Sequence, residues 1–114
     1  MNRILLIGQD RATVERLTLQ CLERGVAVAI ADNVCEGVRV LATTPVSLIV
    51  ADLGRFRLGV AEQATLFDRV APGVPVTVTV PARTELETRV ALELAGFHVA
   101  PESAASDDLL KSLD

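Results

Sequence analysis

At 114 residues the chain is one domain long, and half of its residues are hydrophobic. Folding a chain of this size hides roughly two-thirds of its unfolded surface, so a core forms without disulfide or metal staples. A formal charge of −4, with ten arginines and one lysine scattered along the chain, leaves no basic footprint and excludes direct nucleic-acid binding.

Three Phe and neither Trp nor Tyr provide no platform for stacking bases. His98 is the only histidine, and no Cys/His spacing suits a metal. Cys21 and Cys35 fall inside apolar helical patterns and are expected as buried thiols. The opening apolar run stops at Ile7, too short for a signal peptide or membrane span, so a cytosolic protein without membrane contact is expected.

In chain order, Arg3–Ile7 is a near-continuous Ile/Leu run, the mark of a strand buried on both faces. Asp10 is placed to cap a first helix ending at Gly25, with Val14, Leu17, Cys21 and Leu22 on one stripe. Val26–Ala31 is a second apolar run, followed by a short helix over Val34–Leu41. Ser47–Ala51 is a third run, ending at Asp52. A third helix over Val60–Val70 is expected to bury Val60, Ala64, Phe67 and Val70. Val74–Val80 alternates Val with Thr, with Pro75 near its start, where a missing N–H does least harm. Thr84 and Glu87 have the spacing of a capping box, opening a fourth helix expected to bury Leu86, Val90 and Leu94. A weak run at Phe97–Ala100 and a fifth helix from Ser103 or Ser106, with Leu109, Leu110 and Leu113 on one arc, complete the pattern.

Strands separated by single helices imply right-handed crossovers. The expected fold is a doubly wound α/β domain: a five-stranded parallel sheet between two helical layers. Function in such folds gathers at the C-terminal ends of the strands. Here those ends are Gly8-Gln9-Asp10, Asp52, Val80-Pro81 and Ala100-Pro101.

At this point the chain resembles, over essentially its whole length, the receiver domain of bacterial response regulators, a flavodoxin-like (CheY-like) three-layer sandwich. Ile4-Leu5-Leu6-Ile7-Gly8-Gln9-Asp10 is similar to the family's first strand, which normally ends in an acidic pair. Ala31-Asp32-Asn33-Val34-Cys35-Glu36-Gly37-Val38 resembles the entry to the second helix. Leu48-Ile49-Val50-Ala51-Asp52-Leu53 is similar to the third strand, whose terminal Asp accepts phosphate. Val74–Val80 resembles the fourth strand, and Ala95-Gly96 with Val99-Ala100-Pro101 resembles the approach to the family's Lys-Pro.

The departures bear on function. The resemblance implies Mg²⁺ held by the acidic pair and the acceptor carboxylate, neutralising charge on the transferring phosphoryl group. Gly8 and Gln9 stand where that pair is expected, and Asp10 next to them reads as a helix cap rather than a metal ligand. Ala100 stands where the lysine is expected. The one lysine, Lys111, lies ten residues beyond Pro101, so no shift of register restores it. Val80, followed by Pro81, aligns with the family's Ser/Thr, while Thr79 is expected on the opposite face. Leu53-Gly54-Arg55-Phe56 lacks the usual Met-Pro, and Arg55 and Arg57 are expected as exposed loop arginines rather than substitutes for a metal. Phe97 is a candidate for the family's switch aromatic, and His98 is expected as an exposed strand-end side chain.

Leu92 and Leu19 fall on the polar sides of the fourth and first helices, and Leu92 is the candidate for a partner surface. The resemblance implies a protein partner or a twin subunit docked on helix 4, strand 5 and helix 5. The sequence therefore points to a pseudo-receiver, a non-enzymatic interaction module without a resident cofactor, in which Asp52 is a vestigial or weak phosphoacceptor. One alternative is a divergent receiver phosphorylated on Asp52 by a histidine kinase, with Mg²⁺ at Asp10 and Asp52. Another is a flavodoxin-like ligand binder or enzyme; against it, Gly8 alone is no phosphate-binding fingerprint and no nucleophile–base pair is visible. Residues 1–114 are expected to form one receiver-like domain, with an output domain able to follow Asp114.

Overall fold

The computed structural model describes residues 2–52, 59–81 and 83–101. Five strands form one sheet: β1 (Arg3–Ile7), β2 (Ala27–Ala31), β3 (Leu48–Ala51), β4 (Val76–Val80) and β5 (His98–Pro101). Their order is β2-β1-β3-β4-β5, and every pairing is parallel. The connecting helices are α1 (Arg11–Glu23), α2 (Val34–Thr43), α3 (Val60–Val70) and α4 (Leu86–Leu94). The expected fifth helix, with Leu109, Leu110, Lys111 and Leu113, and the loop carrying Arg55 and Arg57 lie outside the described residues.

The pleat divides the central strands between two cores. Leu5, Ile7, Ile49, Ala51, Val76, Val78 and Val80 face α2, α3 and α4, where Phe67, Leu92 and Phe97 meet them. Ile4, Leu6, Leu48 and Val50 face the other way, onto Leu17 and Cys21 of α1. Strands covered on both faces need continuous apolar runs, the pattern of β1 and β3. Phe67 and Phe97 pack edge to face, with ring centroids 6.3 Å apart and planes at 85°. Phe97 is thus turned inward on the α3/α4 side.

Local chemistry sets where the helices begin. Asn33 caps α2, its side chain accepting from the Glu36 N–H at 3.0 Å, while the Glu36 carboxylate reaches back to the Asp32 N–H at 2.9 Å. Gly37 lets this helix press onto β1: a Cβ there would lie 2.7 Å from Ile7 Cδ1. The expected capping box of α4 does not form. Glu85 takes the N-cap position without a side-chain bond, and the Thr84 hydroxyl donates to the Pro81 carbonyl at 2.7 Å instead.

Burial expectations are corrected on three helices, α4, α1 and α2. Leu86, Val90 and Leu94 are 75%, 42% and 84% exposed, whereas Leu92 is 3% exposed and belongs to the core. Leu92 therefore presents no partner surface. The rotation of α4 is set by its ends: the turn at Pro81–Thr84 fixes its entry, and the Phe97 N–H bonding back to the Leu92 carbonyl at 3.1 Å fixes its exit. Leu22 on α1 is 73% exposed, outside the core stripe of Leu17 and Cys21. Cys35 is exposed, because the first turn of α2 turns it away from β1, and Cys21 alone is a buried thiol.

Candidate functional site at the strand ends

Parallel pairing brings the C-terminal ends of four strands into one row. The ladders pair Ile7 with Ala51 and Ala51 with Val78. One step further along the same register sets Gly8 beside Asp52 and Asp52 opposite Thr79. Thr79 in turn pairs with Ala100. The side chains of this row share the pleat direction of Leu6 and Val50, because paired residues in a parallel sheet point to the same face.

Val80 is 6% exposed, in the core with Val78, and Thr79 lies on the other face of β4, as strand alternation leads one to expect. Continued one step, the β3–β4 register sets Thr79 rather than Val80 beside Asp52. Ala100 is Thr79's neighbour on the other side and packs at the edge of the α1-side core. Pro101 closes the β4–β5 ladder opposite Val80.

Gly8 leaves β1 with φ +66°, a conformation that glycine adopts without strain, while its N–H continues the ladder to the Ala31 carbonyl at 3.0 Å. The turn sends Gln9 across the end of the sheet. Its amide Nε2 donates to the Ile7 carbonyl at 3.4 Å and to Thr79 Oγ1 at 3.3 Å, and Thr79 Oγ1 lies 3.5 Å from the Ala51 carbonyl. Each contact is long, at the weak end of the hydrogen-bond range. Gln9 nevertheless ties β1 to β4 directly over the row.

Asp10 occupies the N-cap of α1 with extended backbone (φ −70°, ψ 161°), and its carbonyl accepts from the Val14 N–H at 3.0 Å. Its exposed side chain closes no capping hydrogen bond of good geometry. The Thr13 hydroxyl beside it, opposed by slight desolvation and helped by first-turn amides, holds the carboxyl below the usual carboxylate range. Among the described residues, no three His, Cys, Asp or Glu side chains are grouped to hold a metal ion. His98 is exposed at the start of β5, two residues before Ala100.

Asp52 is half-buried and lines a cleft of about 290 Å³ with Gly59, Val60, Gln63, Val78, Thr79, Val80, Pro81, Thr84, Thr88 and Leu92. Of the α4 residues of this wall, Thr88 was not singled out in the sequence, and Leu92 was singled out for a partner surface instead. The inward rotation of Leu92 brings it to the site, with the exposed Thr88 one turn earlier.

Comparison with known proteins agrees with this geometry. No family model matches the chain. The transcriptional regulatory protein GlrR of Escherichia coli is 24% identical over 97% of the chain, which spans about a quarter (25%) of that relative's length. A two-component response regulator from Clostridium difficile superposes with a TM-score of 0.84 at 15% identity, covering 99% of this chain and 93% of the other. A response regulator from Burkholderia pseudomallei, solved with a phosphorylated aspartic acid, calcium ion and citrate, superposes with a TM-score of 0.82 at 18% identity, over 100% of this chain and 67% of the other. Among the described residues no helix is long and apolar enough to cross a membrane. The chain has the CheY-like fold seen in response regulator receiver domains.

Proposed function

We propose that this receiver-like domain acts in two-component-type signalling as a pseudo-receiver, docking a protein partner without a phosphorylation cycle at Asp52. The row Gly8–Asp52–Thr79–Ala100 carries the reading. It keeps an acceptor carboxylate and a hydroxyl but provides neither the second and third carboxylates nor the lysine that phosphoryl transfer to an aspartate calls on. Charge develops on the phosphoryl oxygens during transfer and has to be met by cations already in place. The residues present do not fit a Mg²⁺ site: Gly8 has no side-chain ligand, the Gln9 amide nitrogen is directed at Ile7 and Thr79, and Asp10 heads α1.

The docking surface in this reading is the outer face of α4. Leu86, Val90 and Leu94 recur every four residues and form one exposed apolar stripe. Glu85, Glu87 and Glu93 flank it against a single arginine, Arg89. That charge balance disfavours a second copy, whose own glutamates would face these, and suits a partner with an apolar strip rimmed by Lys or Arg. Incubation with acetyl phosphate and Mg²⁺, followed by intact mass measurement, tests the first half of the proposal. The unmodified mass is expected, and a phosphoryl adduct that disappears in Asp52→Asn overturns it.

One observation favours a second reading. Thr79 stands opposite Asp52, as a working receiver's hydroxyl would, so a divergent phosphorylated receiver retains two parts of the machinery. The same mass measurement separates the two.

A further inference from the structure

We propose that two copies of this chain pair antiparallel through the outer edge of β2, about a two-fold axis at Ala29, joining their five-stranded sheets into one. β2 ends the sheet on one side, and among the described residues nothing pairs with its outer edge. The register identifies what this edge presents. The Ala27 N–H donates to the Asn2 carbonyl and the Gly8 N–H to the Ala31 carbonyl, each at 3.0 Å. Backbone groups alternate along a strand, so Ala27, Ala29 and Ala31 bond to β1 while Val26, Val28, Ile30 and Asp32 turn theirs outward. Two of the outward N–H groups are already bonded, Val26 to the Cys21 carbonyl at 2.8 Å and Asp32 to the Glu36 carboxylate at 2.9 Å. Those of Val28 and Ile30 remain. An axis at Ala29 sets Val28 of each copy opposite Ile30 of the other, which bonds both remaining groups on each strand. Moving the axis to Val28 or Ile30 draws in Val26 or Asp32, which lie outside β2 with their N–H groups spent.

The side chains fit the same axis. Val28 and Ile30 share the α1 face with their β1 partners Ile4 and Leu6, and Ile30 is 53% exposed. In the pair, each Ile30 is covered by the other copy's Val28, a cross-strand contact of the kind that stabilises sheets. β2 reads Ala-Val-Ala-Ile-Ala, without the Lys or Pro that keeps an edge from pairing. The opposite edge strand, β5, ends in Pro101, which has no N–H. No charge on β2 meets its own image across the axis, whereas a second copy on the α4 stripe would set glutamates against glutamates. An edge that is its own complement closes with a second copy by two-fold symmetry.

Sedimentation velocity of the chain at rising concentration tests the pairing. One short strand makes an interface at the low end for specific complexes, so a shift from monomer to dimer is expected at high concentration only. Ile30→Lys, at an exposed position, should abolish the shift with an unchanged urea midpoint, and Leu94→Glu on α4 should leave the shift intact. Disulfide capture tests the axis. With Cys35 replaced by Ser, Ala29→Cys sets two thiols on residues about 4.5 Å apart between Cα atoms, the spacing of a non-hydrogen-bonded antiparallel pair and within disulfide reach. Mild oxidation should then give a covalent dimer, and Leu94→Cys in the same background should not. A monomer at every concentration, a dimer that survives Ile30→Lys, or cross-linking no readier at Ala29 than at Leu94 would each overturn the proposal.

Discussion

The strand ends around Asp52 and the outer face of α4 differ in how they respond to substitution. At the strand ends, function of the receiver type depends on a set of charges acting together, and each missing member leaves the others with less to act on. Two positions, Gly8 and Ala100, have no polar side chain at all. On α4, the exposed stripe of Leu86, Val90 and Leu94 offers apolar area, which declines gradually as side chains change. A domain can therefore keep an apolar face while its site chemistry is incomplete. The fold needs only the apolar strand interiors and the helix stripes beneath, and both are intact.

The comparison is broken most sharply inside α4 itself. Leu92→Ala removes a core side chain and should cost about 2–5 kcal/mol, read as a lowered denaturation midpoint. Leu94→Glu, two residues on, should change stability by no more than about 0.5 kcal/mol while impairing partner docking. If the two variants prove equally destabilising, the assigned rotation of α4 is wrong.

Restoring charge sharpens the other side. Gln9→Asp with Ala100→Lys returns a carboxylate and the lysine to the row. Beryllofluoride should then bind with Mg²⁺ at least about tenfold tighter than to the parent, the scale of one charged contact. A double variant that gains nothing would show that the obstacle is geometric rather than electrostatic.

Smaller effects concern single polar groups and thiols. Thr79→Val withdraws the oxygen that Gln9 reaches across the sheet end and should cost about 0.5–1.5 kcal/mol, measured by urea unfolding. Cys35 should react readily with a thiol reagent in the folded protein, and Cys21 only on unfolding. Burial pushes the Cys21 thiol up from its ordinary value of 9.0. The unfolded thiol then ionises first, so its contribution to stability is fully present below pH 9 and is lost as pH rises through the folded value. A Cys21→Ala variant should lack that alkaline component.

Much of the fold was legible in the sequence because it rests on local pattern. Arg3–Ile7 and Val60–Val70 are one strand and one helix with the bounds read from their apolar runs, and strand–helix alternation specified the parallel sheet. Asp52 was legible for the same reason, since the third apolar run ends at it. What escaped depends on distant parts. Which of Thr79 and Val80 meets Asp52 follows from the β3–β4 register, set through the crossover by way of α3. Which leucines of α4 turn inward follows from the turns at its two ends, because both Leu86–Val90–Leu94 and Thr88–Leu92–Ala95 recur at helical spacing. The exposure of Cys35 likewise follows from how closely α2 approaches β1 at Gly37.

The central claim is that the residues around Asp52 do not gather a divalent cation and a phosphoryl-like group together. Titrating the native chain with beryllofluoride in millimolar Mg²⁺, and following the amides of Gly8, Asp52, Thr79 and Ala100, tests it most directly. Unchanged spectra are predicted. Saturable shifts at those four positions that spread into α4 would contradict the account.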